Sequence, residues 1–164
     1  SSPLADFALF QNGETLQAIG EASEAERSFK SILDNYKNST LRNRVLLKLG
    51  LISFNQGNLN EAIRYYKQLF SYNPNAKESL EAIIALEEIY VDNLVQPDEY
   101  FDFVEKQVGF EISTFEKDSI SFRSGEVSYE NGDYEKAINA YSNYLARYPK
   151  GFNRLLEHYR RAEF

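Results

Sequence analysis

The chain has 164 residues and a formal net charge of −7, set by 25 acidic against 18 basic side chains. A length of this order holds one ordinary domain, the 43% hydrophobic content supplies a core, and the 26% charged content excludes a membrane-embedded protein. No stretch approaches the roughly 18 consecutive apolar residues of a spanning helix, no Cys is present for a disulfide, thiolate metal site or nucleophile, and the longest basic run, Arg160-Arg161, is too small for a phosphate-binding surface.

Apolar periodicity predicts helices at 4–18, 24–36, 41–56, 59–72, 77–92, 98–108, 114–131, 134–147 and 151–164, with one sizeable irregular stretch at 109–113 and no strand. Gly20, Gly57 and Gly132 stand where a first helix ends in a left-handed residue. Ser23, Asn58 and Asp98 are the expected N-caps of second helices. Ser23-x-x-Glu26 and Asn58-x-x-Glu61 fit capping-box spacing. Pro74 and Pro149 stop second helices, since proline disfavours helix in the residue before it.

The chain repeats itself. Gly50, Gly57, Ala62, Tyr66 and Pro74 recur 75 positions on as Gly125, Gly132, Ala137, Tyr141 and Pro149. Gly13, Gly20 and Ala25 lie 37 before Gly50, Gly57 and Ala62, and Ala162 lies 37 after Gly125. A degenerate copy then falls between, with Leu86 37 after Leu49. Units begin near Asp6, Asn43, Leu80 and Asp118, at spacings of 37, 37 and 38, and a fifth opens near Leu155. The small residues at Gly13, Gly50, Gly125 and Ala162 are expected to let paired helices approach, with Ala25, Ala62 and Ala137 facing them. Phe29, Tyr66 and Tyr141 are expected to fill the remaining space.

The pattern Leu49-Gly50, Ala62, Tyr66, Pro74, with its copy Gly125, Ala137, Tyr141, Pro149, resembles the tetratricopeptide repeat. Leu46 replaces the usual Trp and Ser124 the usual Leu. The period also exceeds the family's 34 residues, and the extra length is expected in the turns at Asn38-Ser39-Thr40 and Asn75-Ala76-Lys77. The resemblance implies an all-α fold, a right-handed α-α superhelix of four helix pairs plus a terminal helix. The units would be 4–40, 41–76, 77–112 and 113–150, with the first helix of a fifth at 151–164, all in a single array.

It also implies a partner-binding concave face built from first helices. Carried over by register, its residues are Phe7, Phe10, Glu14 and Gln17; Arg44, Leu47, Leu51, Phe54 and Asn55; Glu81, Ile84, Glu88, Val91 and Asp92; and Phe122, Glu126, Tyr129 and Glu130. The family's carboxylate clamp uses Lys, Arg and Asn where this chain has Leu47, Leu51, Phe122 and Glu126, so the clamp is absent. The mix of aromatics and acids suits an extended neutral or basic peptide, or a folded protein.

Catalytic signals are missing. His158 is the lone histidine and lacks companion ligands. The carboxylates Glu87-Glu88 and Glu21/Glu24/Glu26 have no nucleophile beside them and read as solvated faces. Neither G-x-G-x-x-G nor G-x-S-x-G occurs. The expected function is a non-catalytic protein–protein interaction scaffold with no cofactor, binding a protein or peptide and no nucleic acid. The alternative is a structural spacer without a ligand groove.

The long period, Tyr148-Pro149, and Ile89-Tyr90-Val91-Asp92 followed by Asp98-Glu99-Tyr100-Phe101 resemble bacterial envelope repeat proteins, of the outer-membrane-assembly lipoprotein and Tol-Pal-associated types. That implies a periplasmic or cell-envelope location, the alternative being the cytoplasm. With no Met, position 1 included, and a start at Ser1-Ser2-Pro3-Leu4, the chain is expected to be a processed protein or a piece of a longer array. A terminal helix bearing Leu155, Leu156, Tyr159 and Phe164 is expected to leave an apolar side open and to favour a homodimer.

Overall fold

A computed structural model describes residues 4–153, and all regular structure among them is helical. The elements are α1 (Ala5–Ala18), α2 (Ala22–Asn35), α3 (Arg42–Asn55), α4 (Leu59–Leu69), α5 (Ala76–Glu87), α6 (Pro97–Val104), α7 (Thr114–Glu130) and α8 (Tyr134–Arg147). A 3-10 turn, Phe70–Tyr72, extends α4, and a π-helical turn, Glu88–Asn93, extends α5. The expected helix at 151–164 lies outside the described residues except for 151–153, which form a turn. His158 and Ala162 therefore lie outside them as well. The chain divides into two compact units, Ser1–Ala85 and Leu86–Phe164, with the boundary inside α5.

In the first, second and fourth repeats the pairs α1/α2, α3/α4 and α7/α8 are locked by a glycine on one helix and a ring on the other. A Cβ on Gly13 would stand 2.6 Å from the Phe29 ring, on Gly50 2.6 Å from Tyr66, and on Gly125 2.5 Å from Tyr141. Ala25, Ala62 and Ala137 are wholly buried in the same pairs. The expected exchange of small against large side chains is what sets these crossings.

The turns within these pairs are three residues each, 19–21, 56–58 and 131–133, where 19–23, 57–58 and 132–133 were expected. Gly20, Gly57 and Gly132 have φ of 88°, 77° and 76°. Each donates its N–H three residues back, and the following residue donates five back: Asn58 N to Ser53 O at 2.9 Å and Asp133 N to Ser128 O at 2.9 Å. These are Schellman closures. The residue after the glycine is at once the close of one helix and the N-cap of the next.

Of the three expected caps, two are corrected and one stands. Ser23 is inside α2, whose N-cap is Glu21, and Asp98 is inside α6, whose N-cap is Gln96 with Pro97 next. Asn58 does cap α4, but without a side-chain bond. The box from Glu61 cannot form, because the Asn58 N–H it would accept is already spent on Ser53. Capping boxes appear instead where a loop leaves that N–H free. Ser113 and Glu116 bond reciprocally at 3.2 and 2.8 Å, and Asn75 and Glu78 at 2.9 and 3.0 Å. Asn75 therefore precedes α5, and Ala76 and Lys77 are helical rather than turn.

The third repeat inverts the packing rule. Seven positions separate Gly13 from Gly20, Gly50 from Gly57 and Gly125 from Gly132, but eight separate their counterparts Glu87 and Val95. The added residue, which makes one period 38, is taken up by the π-helical turn, as an insertion into an α-helix requires. Val95 holds the left-handed position at φ 58°, unusual for a β-branched residue. Beyond it the register aligns Tyr100 with Ala137 and Val104 with Tyr141. The slot for glycine thus holds Glu87, the slot for alanine holds Tyr100, and the ring is replaced by Val104. Tyr100 donates its hydroxyl to Glu87 at 3.0 Å.

A second periodic device ties three of the four repeats to the segment that follows. Asp6 accepts from the Ser39 hydroxyl at 2.5 Å, and Asn43 donates to Glu78 at 3.0 Å. Asp118 accepts from the Tyr144 hydroxyl at 2.7 Å and from Phe152 N at 3.1 Å. The fourth such position is Leu80, apolar and 52% exposed.

Candidate functional site

In the first unit the register-derived residues divide into core and surface. Phe10 is wholly buried, tilted against Phe29 at 5.6 Å, with the Arg44 guanidinium 4.4 Å above its ring. Leu47 is buried too. Both belong to the core and are unavailable to a partner. Phe7 and Leu51 stay 49% and 41% exposed. Glu14 pairs with Lys48 at 3.1 Å and meets Arg44 at 4.0 Å, joining α1 to α3. Gln17 and Phe54 are half-buried; Asn55, Glu81 and Ile84 are exposed.

In the second unit Val91 and Phe122 are buried, the latter 5.9 Å from Tyr141 and 5.6 Å from Tyr144. They too are core, because the apolar side of a first helix that meets its own partner cannot also meet a ligand. Glu126 accepts from the Tyr141 hydroxyl. Tyr129 is half-buried, edge-on to Tyr134 at 5.7 Å. Glu88 and Glu130 are exposed.

Asp92 is held by Arg123 at 3.1 Å, and the same guanidinium reaches Glu87 at 2.7 Å. Burial works to lower the Arg123 pKa, but its bonds and charge contacts with Glu87 and Asp92 outweigh it and leave the guanidinium more firmly charged. Burial, then the neighbouring Glu87 charge, push the Tyr100 hydroxyl well above its ordinary value. The network Tyr100–Glu87–Arg123–Asp92 was not singled out from sequence. Its signal is there in the register, where a carboxylate stands in a glycine slot.

A cleft of about 320 Å³ lies within the second unit, between α6 and α8 and over α7. Its floor includes Ser121, Ser124 and Ala140, its walls Asn143 and Tyr148, and its rim the ion pair Arg147–Asp98. Among the described residues no group of three or more His, Cys, Asp or Glu side chains could hold a metal ion. No helix among them is long and apolar enough to cross a membrane.

Two segments of the chain match family models described as tetratricopeptide repeat, residues 44–76 and residues 120–151. These are the second and fourth repeats, where the glycine–ring locks Gly50–Tyr66 and Gly125–Tyr141 sit. No curated protein matches the chain significantly.

Proposed function

From the premise that the chain carries tetratricopeptide repeats, modules that mediate protein–protein interactions, we propose that it is a non-catalytic scaffold whose first-helix faces dock a peptide or protein partner. The observation that carries this is the pair of exposed apolar side chains Phe7 and Leu51 on first helices α1 and α3, beside the Glu14–Lys48–Arg44 charge network. Exposed apolar anchors ringed by charge are the usual composition of an interface centre and rim. The exposed acids Glu81, Glu88 and Glu130 favour a neutral or basic partner segment. Selection of displayed peptides on the intact chain tests the reading. Enriched sequences should carry an apolar anchor with no net negative charge, and Leu51→Asp should abolish their capture while leaving the helical signal intact. Full capture by a folded Leu51→Asp variant would move the site off this face.

The burial of Phe10, Leu47, Val91 and Phe122 favours a second reading, a spacer in which these faces serve repeat packing. In that case selection yields no consensus peptide. A location in the cell envelope is also proposed, on the 37-residue period and the Tyr148-Pro149 ending. Fractionation of the native host, with the chain found only in the cytoplasm, would overturn it.

A further inference from the structure

The cleft over α7 marks a place where the repeat has lost side chains. The 75-residue offset aligns Ser121 with Leu46, Ser124 with Leu49 and Ala140 with Tyr65. In the second repeat Leu46 and Leu49 are wholly buried and Tyr65 is 3% exposed, so the corresponding space over α3 is filled. The Tyr65 ring carries the Arg64 guanidinium 4.2 Å above it. In the third repeat Ile83 and Leu86 hold the first two positions and are buried as well. Only the fourth repeat combines two serines and an alanine there, and it is there that the cleft opens.

The cleft is polar at its base and aromatic at its side. Ser121 is 6% exposed, and its hydroxyl oxygen, fully sheltered from solvent, meets no hydrogen-bond partner among the described residues. A sheltered hydroxyl without a partner is costly unless something supplies one. Ser124 is satisfied locally, donating to Ser121 O at 2.8 Å. Tyr144 and Tyr148 form a wall of two rings 5.5 Å apart. Asn143 also lines the cleft and is exposed.

We propose that this cleft receives a tyrosine side chain from a partner protein, the ring taking the place that Tyr65 fills in the second repeat and the phenol hydroxyl bonding Ser121. The volume missing at Ala140 is that of an aromatic ring. A ring seated there lies against Ala140 and the Tyr148 face, where aromatic pairs are favourable. Its hydroxyl satisfies the one orphaned group on the floor once the Ser121 side chain rotates about χ1 toward the cleft, since the oxygen is sealed in the empty cleft. The cleft shares no residue with the first-helix face, so it stands or falls apart from that reading.

The test is a titration of the whole chain with N-acetyl-tyrosinamide, followed by amide chemical shifts, with N-acetyl-phenylalaninamide as control. Saturable shifts are expected at Ser121, Ser124, Ala140 and Asn143, with the phenylalanine compound weaker by roughly three- to tenfold for want of the hydroxyl bond. Ser121→Ala should erase that difference. Ala140→Tyr should fill the cleft from within, raise the melting temperature and abolish the shifts. Should that variant fold poorly, Ser121→Leu with Ser124→Leu restores the side chains of the second repeat and is expected to do the same. Absence of saturable shifts in the parent chain, equal affinity for the two compounds, or binding that survives in a folded, filled variant would each overturn the proposal.

Discussion

The Tyr66 ring occupies the space in which Gly50 would carry a Cβ, at 2.6 Å, and the Tyr141 ring does the same to Gly125 at 2.5 Å. Both rings are buried and walled in, so neither can swing aside. Gly50→Ala and Gly125→Ala should therefore each cost about 1–3 kcal/mol through overpacking. Ala62→Phe and Ala137→Phe, at sites with no exposure, should cost at least as much. Urea denaturation reads the loss as a lower midpoint at constant slope. A Gly50→Ala variant that unfolds with the parent would mean that the crossing is looser than described.

Val95 should be the reverse case. Its φ of 58° is strained for a β-branched residue, and the three other repeats place glycine at this point. Val95→Gly removes a left-handed penalty of roughly 1–2 kcal/mol and gives back part of it in chain entropy. A net gain of about 1 kcal/mol is expected, visible as a higher melting temperature. Tyr100→Phe, by contrast, should lose about 1 kcal/mol with its bond to Glu87.

Asp118 is buried and joins the Tyr144 hydroxyl to the amide of Phe152. Asp118→Ala strands both donors, and a loss of about 2–3 kcal/mol follows. Gly151→Ala should damage the same junction, since its Cβ would fall 2.6 Å from the Asp118 carboxylate and against the Tyr144 hydroxyl. Proteolysis of the segment after Tyr148 should quicken in both variants. Unchanged cleavage would show that the junction is held by something else.

Acid sensitivity should be traceable to the cap of α7. Side-chain and backbone bonds from Ser113 hold the Glu116 carboxyl below its usual range. A lowered folded pKa means that the contribution is present above the unfolded value, about 4.3, and is lost as pH falls through the folded one. The melting-temperature gap between the parent and Glu116→Gln should thus be full at pH 6 and shrink below pH 4. A gap independent of pH would assign the effect to helix propensity instead.

The pairs Gly13–Phe29, Gly50–Tyr66 and Gly125–Tyr141 were legible because volume exchange leaves a mark at fixed spacing in a linear sequence. The third repeat was legible only in outline. Its Glu87, Tyr100 and Val104 obey the same volume rule with the members exchanged, and one inserted residue shifts the register between them. The caps failed for another reason. Capping-box spacing says nothing of whether the cap N–H is already bonded, and at Asn58 it is. On the candidate site, alternation around a helix identified the α7 face but could not divide it. Phe122 and Tyr129 read alike in sequence, yet the first is sealed by Tyr141 and Tyr144 and the second is only half covered.

The shared residue at each tight turn also bears on how the molecule comes apart. Asn58 closes α3 through its N–H to Ser53, while its carbonyl accepts from Glu61 at 3.1 Å and Ala62 at 3.0 Å to open α4. Neither helix can fray at this end without undoing the first turn of the other. Amide protons on the two sides of Gly57 should accordingly exchange with deuterium as one group, with a single opening free energy. The same holds at Gly132, where Asp133 donates to Ser128 and accepts from Ala137 at 3.0 Å. At these two turns the helix pair, rather than the single helix, is then the unit that opens.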